Sequence, residues 1–479
     1  MPIIYSPELP TVITWRSGSL WVENPPPDLL DDLTYTHKSL KPDGFGDRIT
    51  VREQVTAWEE VPDVSNTIVT YQGFHARTLR LLSRLQTVCE WRDERLALPP
   101  PQLRHIKGFR GSQCMMFLQL IQKSQSGLFQ APTRYGKSCI LQNLCRAWPD
   151  LTTVVAAPGV DLLGQLVSEL RNALPGREVK GIFTGSRDKY PSEDITVCSL
   201  DSLGKMDHAG VKLLIVDEAH SVVSPSRLFT VSKFENARIY GLGATLSGRY
   251  DGADVLIEGV FGPVLARKTF EEAVQEKMIC PIRVYLMPMQ FDLRGNYNRD
   301  QAYRRLVYEN PLFIATVSHL CANYVPADWQ TLIFVDEKKQ AGMVSRMVEE
   351  SAVAVASKLG NTERKELFGK MVSNEIKRCV ATDIFSTGIT FPDLRVIVNA
   401  AGGGGSITGT QKPGRLAQNR PDKLRGYLVD FTWKPASRDY KYSPGVWRVA
   451  LDAKARREVY EANGYEVIEV KEIDQMKFE

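Results

Sequence analysis

At 479 residues the chain is too long for one ordinary core, and 43% hydrophobic and 24% charged side chains with no low-complexity tract fit two to four globular domains. A formal net charge of +4 excludes a polycationic nucleic-acid coat, so any contact with nucleic acid rests on a local basic face. No bilayer-length apolar span, no charged-then-apolar leader and eight scattered cysteines without a CxxC pair set the expectation of a cytoplasmic protein with reduced thiols, no membrane partner and no zinc site.

Prolines at 25–27 and 99–101 bracket a first segment with its own strand-like and helix-like runs, predicted as a small α+β domain over residues 1–101. Within it, FHARTLRLLSRL places Arg77, Arg80 and Arg84 on one helical face and leaves Leu79, Leu82 and Leu85 to pack elsewhere. Such a face is either solvated or set against phosphates.

From residue 127, short β-branched runs alternate with longer helical stretches, the pattern of a parallel sheet with crossover helices. Strands are expected at Gly127–Ala131, Thr152–Ala156, Ile195–Ser199, Leu213–Asp217 and Ile239–Ala244. The rhythm returns at Thr331–Val335, Ala352–Ala356, Arg378–Thr382, Val396–Ala400 and Gly426–Phe431. The expected fold class is α/β, with two doubly wound units over 102–275 and 276–435 and a connecting helix at Phe270–Lys277. In the extension 436–479 and just before it, Trp433, Tyr440, Tyr442 and Trp447 stand among Lys and Arg, which suits either base stacking or a docked C-terminal helix.

Chemistry concentrates in two places. The stretch Ala131-Pro132-Thr133-Arg134-Tyr135-Gly136-Lys137-Ser138 lies between an apolar run and a helical one. A phosphate cradle needs converging backbone N–H groups, a lysine for the β/γ-phosphates and a hydroxyl for Mg²⁺, and Gly136, Lys137 and Ser138 supply these. Ala131 replaces the first glycine of that spacing, and Arg134 stands where a second glycine is usual. At positive φ the arginine costs about 1–2 kcal/mol; at ordinary φ it costs nothing. The second place is Leu213-Leu-Ile-Val-Asp-Glu-Ala-His220, an apolar strand ending in two carboxylates where parallel sheets bind ligands. Asp217 is suited to hold Mg²⁺ and Glu218 to polarise an attacking water.

A phosphate loop followed by Asp-Glu-Ala-His resembles the superfamily 2 helicases and translocases, and other segments fall in that family's order. Arg110-Gly-Ser-Gln113 resembles its adenine-recognition element; Pro158 to Gln165 resembles a nucleic-acid-contact segment. Gly241–Gly252 (GLGATLSGRYDG) resembles the motif coupling hydrolysis to strand movement. Ala381–Ala400, with Thr382 and Gly388, matches T-D-x-x-x-x-G-x-[ST]-x-P, and Gln411–Arg415 matches the start of Q-x-x-G-R-x-x-R. The second arginine of that last element falls on Gln418, with Arg420 two positions on. Either Arg415 acts alone, or Arg420 shifts in, or hydrolysis is impaired, and the shifted arginine is the preferred expectation.

The resemblance implies tandem RecA-like domains with ATP and Mg²⁺ bound between them. Residues 131–138, Arg110, Gln113 and Gly388 would bind the nucleotide, Ser138 and Asp217 the metal. Lys137, Asp217, Glu218, Gln411, Arg415 and Arg420 would carry catalysis. Pro158, Gln165, Thr382 and the arginines at 77, 80 and 84 would contact nucleic acid. The segment after the third motif resembles the phage UvsW-like branch-migration helicases, which implies branched or duplex DNA as partner and, for a phage gene, the host cytoplasm as location. Two competitors are an RNA helicase bearing the same tetrapeptide, and a nucleic-acid-binding scaffold with a degenerate ATPase, suggested by Arg134 and Gln418.

Overall fold

The structure, a computed structural model, describes residues 3, 5–42, 48–122, 125–182, 194–246, 251–348, 351–354, 361–382, 391–403, 412–437 and 439–479. The chain divides into two units, Met1–Ala131 with Gly136–Lys268, and Pro132–Tyr135 with Thr269–Glu479.

The first unit opens with seven strands, β1 (Thr11–Arg16), β2 (Ser19–Glu23), β3 (Thr34–Pro42), β4 (Arg48–Thr56), β5 (Trp58–Glu60), β6 (Thr67–Tyr71) and β7 (Cys89–Asp93). Five of them form a mixed sheet in the order β5-β6-β2-β1-β7, while β3 and β4 pair as a separate antiparallel ladder. Trp15 of β1 stacks on His75 at 3.9 Å and lies 3.3 Å beneath the Arg95 guanidinium.

Seven further strands make a wholly parallel sheet, β8 (Ser126–Gln130), β9 (Thr153–Ala157), β10 (Val179–Ile182), β11 (Ile195–Ser199), β12 (Leu213–Val216), β13 (Arg238–Gly243) and β14 (Val264–Arg267). Their order is β10-β11-β9-β12-β13-β8-β14. Every residue of β9, β12 and β13 is buried, as expected of strands covered on both faces. Because all strands run the same way, the carboxyl ends of the neighbours β9, β12, β13 and β8 share one edge of the sheet.

The first hundred residues carry the expected small sheet domain of their own, and it packs against the first parallel sheet. Ile13, Leu20, Val22, Phe74 and Leu82 belong to the same apolar core as Val154, Leu214, Val216 and Ile257. The two therefore form one unit.

The second unit begins at Thr269, whose hydroxyl and Glu272 form a reciprocal capping box for the helix Phe270–Gln275. Its sheet is again parallel: β15 (Ile282–Phe291), β16 (Gln330–Phe334), β17 (Ser351–Ala354), β18 (Arg378–Ala381), β19 (Leu394–Asn399), β20 (Gly426–Pro435) and β21 (Glu466–Glu469), in the order β17-β18-β16-β19-β20-β15-β21. The extension is part of this unit. The helix Pro444–Ala462 packs through Val446, Val449 and Ala453 into the core that holds Tyr442 and Trp433, and β21 adds the edge strand beside β15. Burial of Trp433 and Tyr442 favours the docked-helix reading over base stacking, whereas Trp447 remains 40% exposed.

Candidate active site

Four carboxyl ends at one sheet edge bring the motif residues of the first unit together. The chain leaves β8 at Ala131, whose N–H is held by the Gly243 carbonyl at 3.1 Å. It turns through Arg134 at φ 71° and Gly136 at φ 101°, and enters the helix Lys137–Ala147. Arg134 therefore takes the left-handed conformation, the more costly of the two sequence-level alternatives, at about 1–2 kcal/mol. Gly136 is the residue before the helix and no side chain caps the helix there, which leaves its first amides facing the loop. Gly136 must also be glycine for space, since a Cβ would stand 2.5 Å from the Gln113 amide nitrogen and 3.7 Å from an Arg110 guanidinium nitrogen. Buried Gln113 accepts the Arg110 backbone N–H at 2.8 Å, so the R-x-x-Q element lies against the phosphate loop.

β12 delivers Asp217 and Glu218 to the same edge. The Asp217 N–H donates to the Ala156 carbonyl at 2.8 Å, and the Glu218 N–H donates to Asp217 Oδ1 at 3.0 Å. Glu218 adopts φ 50°, a second left-handed non-glycine residue at this edge. Burial and the neighbouring Glu218 carboxylate push Asp217 up to about 6 against the pull of Lys137. For Glu218 burial acts upward, but the Lys137 charge and the His220 ring, whose Nδ1 is 3.3 Å from Glu218 Oε2, hold it below the ordinary value. Sequence reasoning gave His220 no role; the tetrapeptide itself was the available signal. The coupling segment also touches this edge, as Gln130 Nε2 donates to the Ala244 carbonyl at 3.3 Å.

The donor set fits a nucleotide with its cation. Free amides at a helix N-terminus and a lysine suit phosphates, and a buried carboxylate beside a second one is stabilised by a divalent ion. Among the described residues no group of three or more His, Cys, Asp or Glu side chains could hold a metal ion. Lys137 and Ser138 would hold phosphates and Mg²⁺ and Asp217 the Mg²⁺, which would supply charge neutralisation at the transferring phosphoryl group.

Other expected residues are placed as follows. Pro158 follows β9 on the same edge, and exposed Gln165 lies on the helix Val160–Ala173, its side chain bonded to Glu169 at 2.6 Å. In the second unit, buried Thr382 follows β18. Arg415 is 4% exposed, and burial lowers its guanidinium to about 9. Gly388 and Gln411 lie outside the described residues. Two expectations need correcting. Arg420 is not presented as a free cation: its guanidinium pairs with Asp393 and with Asp422, the latter at 3.2 Å. Arg77 is more deeply tied into the protein than Arg80 and Arg84, with 26% of its side chain exposed. It bonds Glu258 at 2.6 and 3.2 Å and Asp32 at 3.4 Å, joining its helix to the helix Asp254–Phe261. Arg80 keeps 71% of its side chain exposed and Arg84 is exposed, both lining a cavity of about 210 Å³ with Asp32, Arg77 and Leu81.

The Type III restriction enzyme, res subunit family matches residues 95–248, which hold the phosphate loop, the carboxylate pair and the start of the coupling segment. The Helicase conserved C-terminal domain family matches residues 315–419, which include Arg415 and stop before Arg420. The chain belongs to the superfamily 2 helicases. This helicase is 23% identical over 343 residues to Putative helicase 22 of Sulfolobus islandicus filamentous virus, covering 64% of this chain and 60% of that relative. It is also 23% identical over 364 residues to the DNA 3'-5' translocase XPB2 of Sulfurisphaera tokodaii, covering 67% and 80%. Among solved structures, UvsW of T4 matches at 12% identity and a TM-score of 0.41, covering 97% of this chain and 99% of that one. The Type ISP restriction-modification enzyme LlaBIII matches at 15% identity and a TM-score of 0.54, covering 77% and 32%. The chain spans about three fifths of the length of the first of these relatives, and among its described residues no helix is long and apolar enough to cross a membrane.

Proposed function

We propose that this helicase hydrolyses ATP to move on, and remodel, branched or duplex DNA. The observation that carries the ATPase reading is the meeting, at one sheet edge, of Lys137, the Asp217–Glu218 pair and the Gln113 side chain packed on Gly136. Glu218, kept ionised beside Lys137 and His220, orients and deprotonates the attacking water. Arg415 is the second unit's candidate for the γ-phosphate, and Arg80, Arg84, Pro158, Gln165 and Thr382 are candidates for nucleic-acid contact. DNA as partner is supported by the naming of the XPB2 relative, and branched substrates by the motif resemblance in the sequence. Action in the cytoplasm, the host's for a phage gene, belongs to the same reading.

The test is steady-state ATP turnover with no nucleic acid, duplex DNA, forked DNA and single-stranded RNA, alongside strand displacement on the fork. Stimulation greatest on forked or duplex DNA is expected. Stimulation by RNA alone would reassign the partner, and no turnover on any substrate would leave only the nucleic-acid scaffold.

A further inference from the structure

The second unit holds a buried polar cluster that the nucleotide chemistry does not use. Asp430 on β20, Arg456 and Tyr460 on the helix Pro444–Ala462, and Asn399 at the end of β19 are each 5% exposed or less. Arg456 forks onto Asp430 at 2.7 and 2.9 Å and donates to the Phe431 carbonyl at 3.1 Å. The Tyr460 hydroxyl donates to Asp430 at 2.8 Å, and Asn399 Nδ2 donates to the same carboxylate at 3.2 Å. Beside it, Asp452, 2% exposed, accepts from the Tyr303 hydroxyl at 2.8 Å and pairs with Arg299 and Arg448 at 3.2 and 2.9 Å.

Both halves of this cluster end on one backbone residue. The remaining Arg456 nitrogen donates to the Gly403 carbonyl, and the Gly403 N–H donates to the Tyr303 oxygen at 3.3 Å. Gly403 sits at φ 80°, and at neighbouring Gly402 a Cβ would stand 2.8 Å from the Tyr303 ring. A buried ion pair is a poor source of stability, since well-packed apolar residues in its place are often neutral or better. What such a network does supply is a fixed geometry, because each member has one satisfied arrangement. Here the fixed object is the point where the chain leaves β19 toward Arg415.

We infer that Arg456, on the C-terminal helix, and Tyr303, on the helix Arg299–Tyr303, are positioning residues for ATP turnover, gripping Gly403 where the chain leaves β19, twelve residues before Arg415 in the sequence. The inference rests on the ATPase reading above. It makes the C-terminal helix part of the catalytic apparatus, although it lies beyond both matched family regions.

Tyr303→Phe keeps the ring and removes the hydroxyl bridge; Arg456→Lys keeps the charge and loses the fork. On the full chain, amide hydrogen exchange over residues 400–403, the thermal midpoint, and kcat and KM for ATP separate the possibilities. Expected are exchange faster by about tenfold, the factor for one lost hydrogen bond, and a kcat fall of roughly tenfold to a hundredfold for a misplaced group, with KM little changed. Arg456→Lys should retain more kcat than Arg456→Met. A lowered thermal midpoint with parental kcat per folded molecule would make the cluster merely structural and overturn the inference, as would parental exchange at 400–403. Absence of turnover in the parent protein sinks the ATPase reading and the link to kcat with it, while the exchange data still decide whether Gly403 is gripped.

Discussion

Replacing Arg77 by Gln separates a stabilising contact from a DNA contact. Arg77 gives Glu258 two hydrogen bonds and Asp32 one, with side-chain exposures of 26%, 19% and 31%. A hydrogen bond to a charged partner contributes about 1.5–3 kcal/mol when fully sheltered. Water reaching a quarter of each side chain reduces the total to roughly 1–2 kcal/mol, or a thermal midpoint lower by roughly 2–8 °C in a domain of this size. Denaturant unfolding followed by tryptophan fluorescence measures it, and a cycle with Glu258→Gln should return a coupling of about 1 kcal/mol. DNA affinity and its salt slope should stay parental in Arg77→Gln. The pair Arg80→Gln and Arg84→Gln should instead leave the midpoint alone and flatten the slope by up to about 0.9 per lost duplex phosphate. A flattened slope with unchanged stability in Arg77→Gln would refute the assignment of its charge to Glu258.

Four further outcomes follow from the structure. Glu218→Gln should still bind ATP while turnover falls by about 10²–10⁴-fold, checked by nucleotide titration and steady-state hydrolysis; equal turnover would remove Glu218 from the reaction. Arg415→Ala should lower stimulated turnover on the order of 10³-fold with ADP binding retained. Arg420→Ala should leave turnover near parental because Asp393 and Asp422 hold that guanidinium, and a loss matching that of Arg415→Ala would revive the shifted arginine. His75, beneath Trp15, is lowered to about 4, by burial first and also by Arg95, against the Gln72 carbonyl and Asp93. The unfolded chain takes up its proton near 6.5, so between those values only the unfolded state is protonated. Stability of the first unit should therefore fall as pH drops from about 6.5 to about 4, and urea midpoints of His75→Gln should lose that dependence.

Much of the fold was written in local pattern. β9, β11, β12 and β13 begin and end within a residue of the expected runs because each is a continuous apolar stretch closed by polar or glycine residues. The strands that escaped, β10 (VKGI), β14 (VLAR) and β21 (EVIE), are four-residue edge strands whose short mixed sequences carry no period. β15 escaped although it is ten residues long, since Pro288 and two methionines interrupt its β-branched run. Charge pairing was not legible at all. Arg77 finds Glu258 181 residues away, and the arginine face looked open only because helical spacing says nothing about what a neighbouring helix presents.

At the site itself, the places where local rules fail are the informative ones. Arg134 and Glu218 both occupy left-handed backbone that costs a side chain about 1–2 kcal/mol, and both stand at the carboxyl edge of the first parallel sheet. Glycine at either position would relieve that cost, so the side chains are kept for what they do. For Glu218 the use is visible, because φ 50° follows directly on Asp217 and lets two adjacent carboxylates serve one edge, Glu218 held low by Lys137 and His220 against burial, Asp217 raised by burial and by the Glu218 charge. Adjacent residues in an extended strand would point to opposite faces. The left-handed turn after β12 is therefore the step by which an apolar strand ending in Asp-Glu becomes a paired acidic site rather than a pair of unrelated side chains.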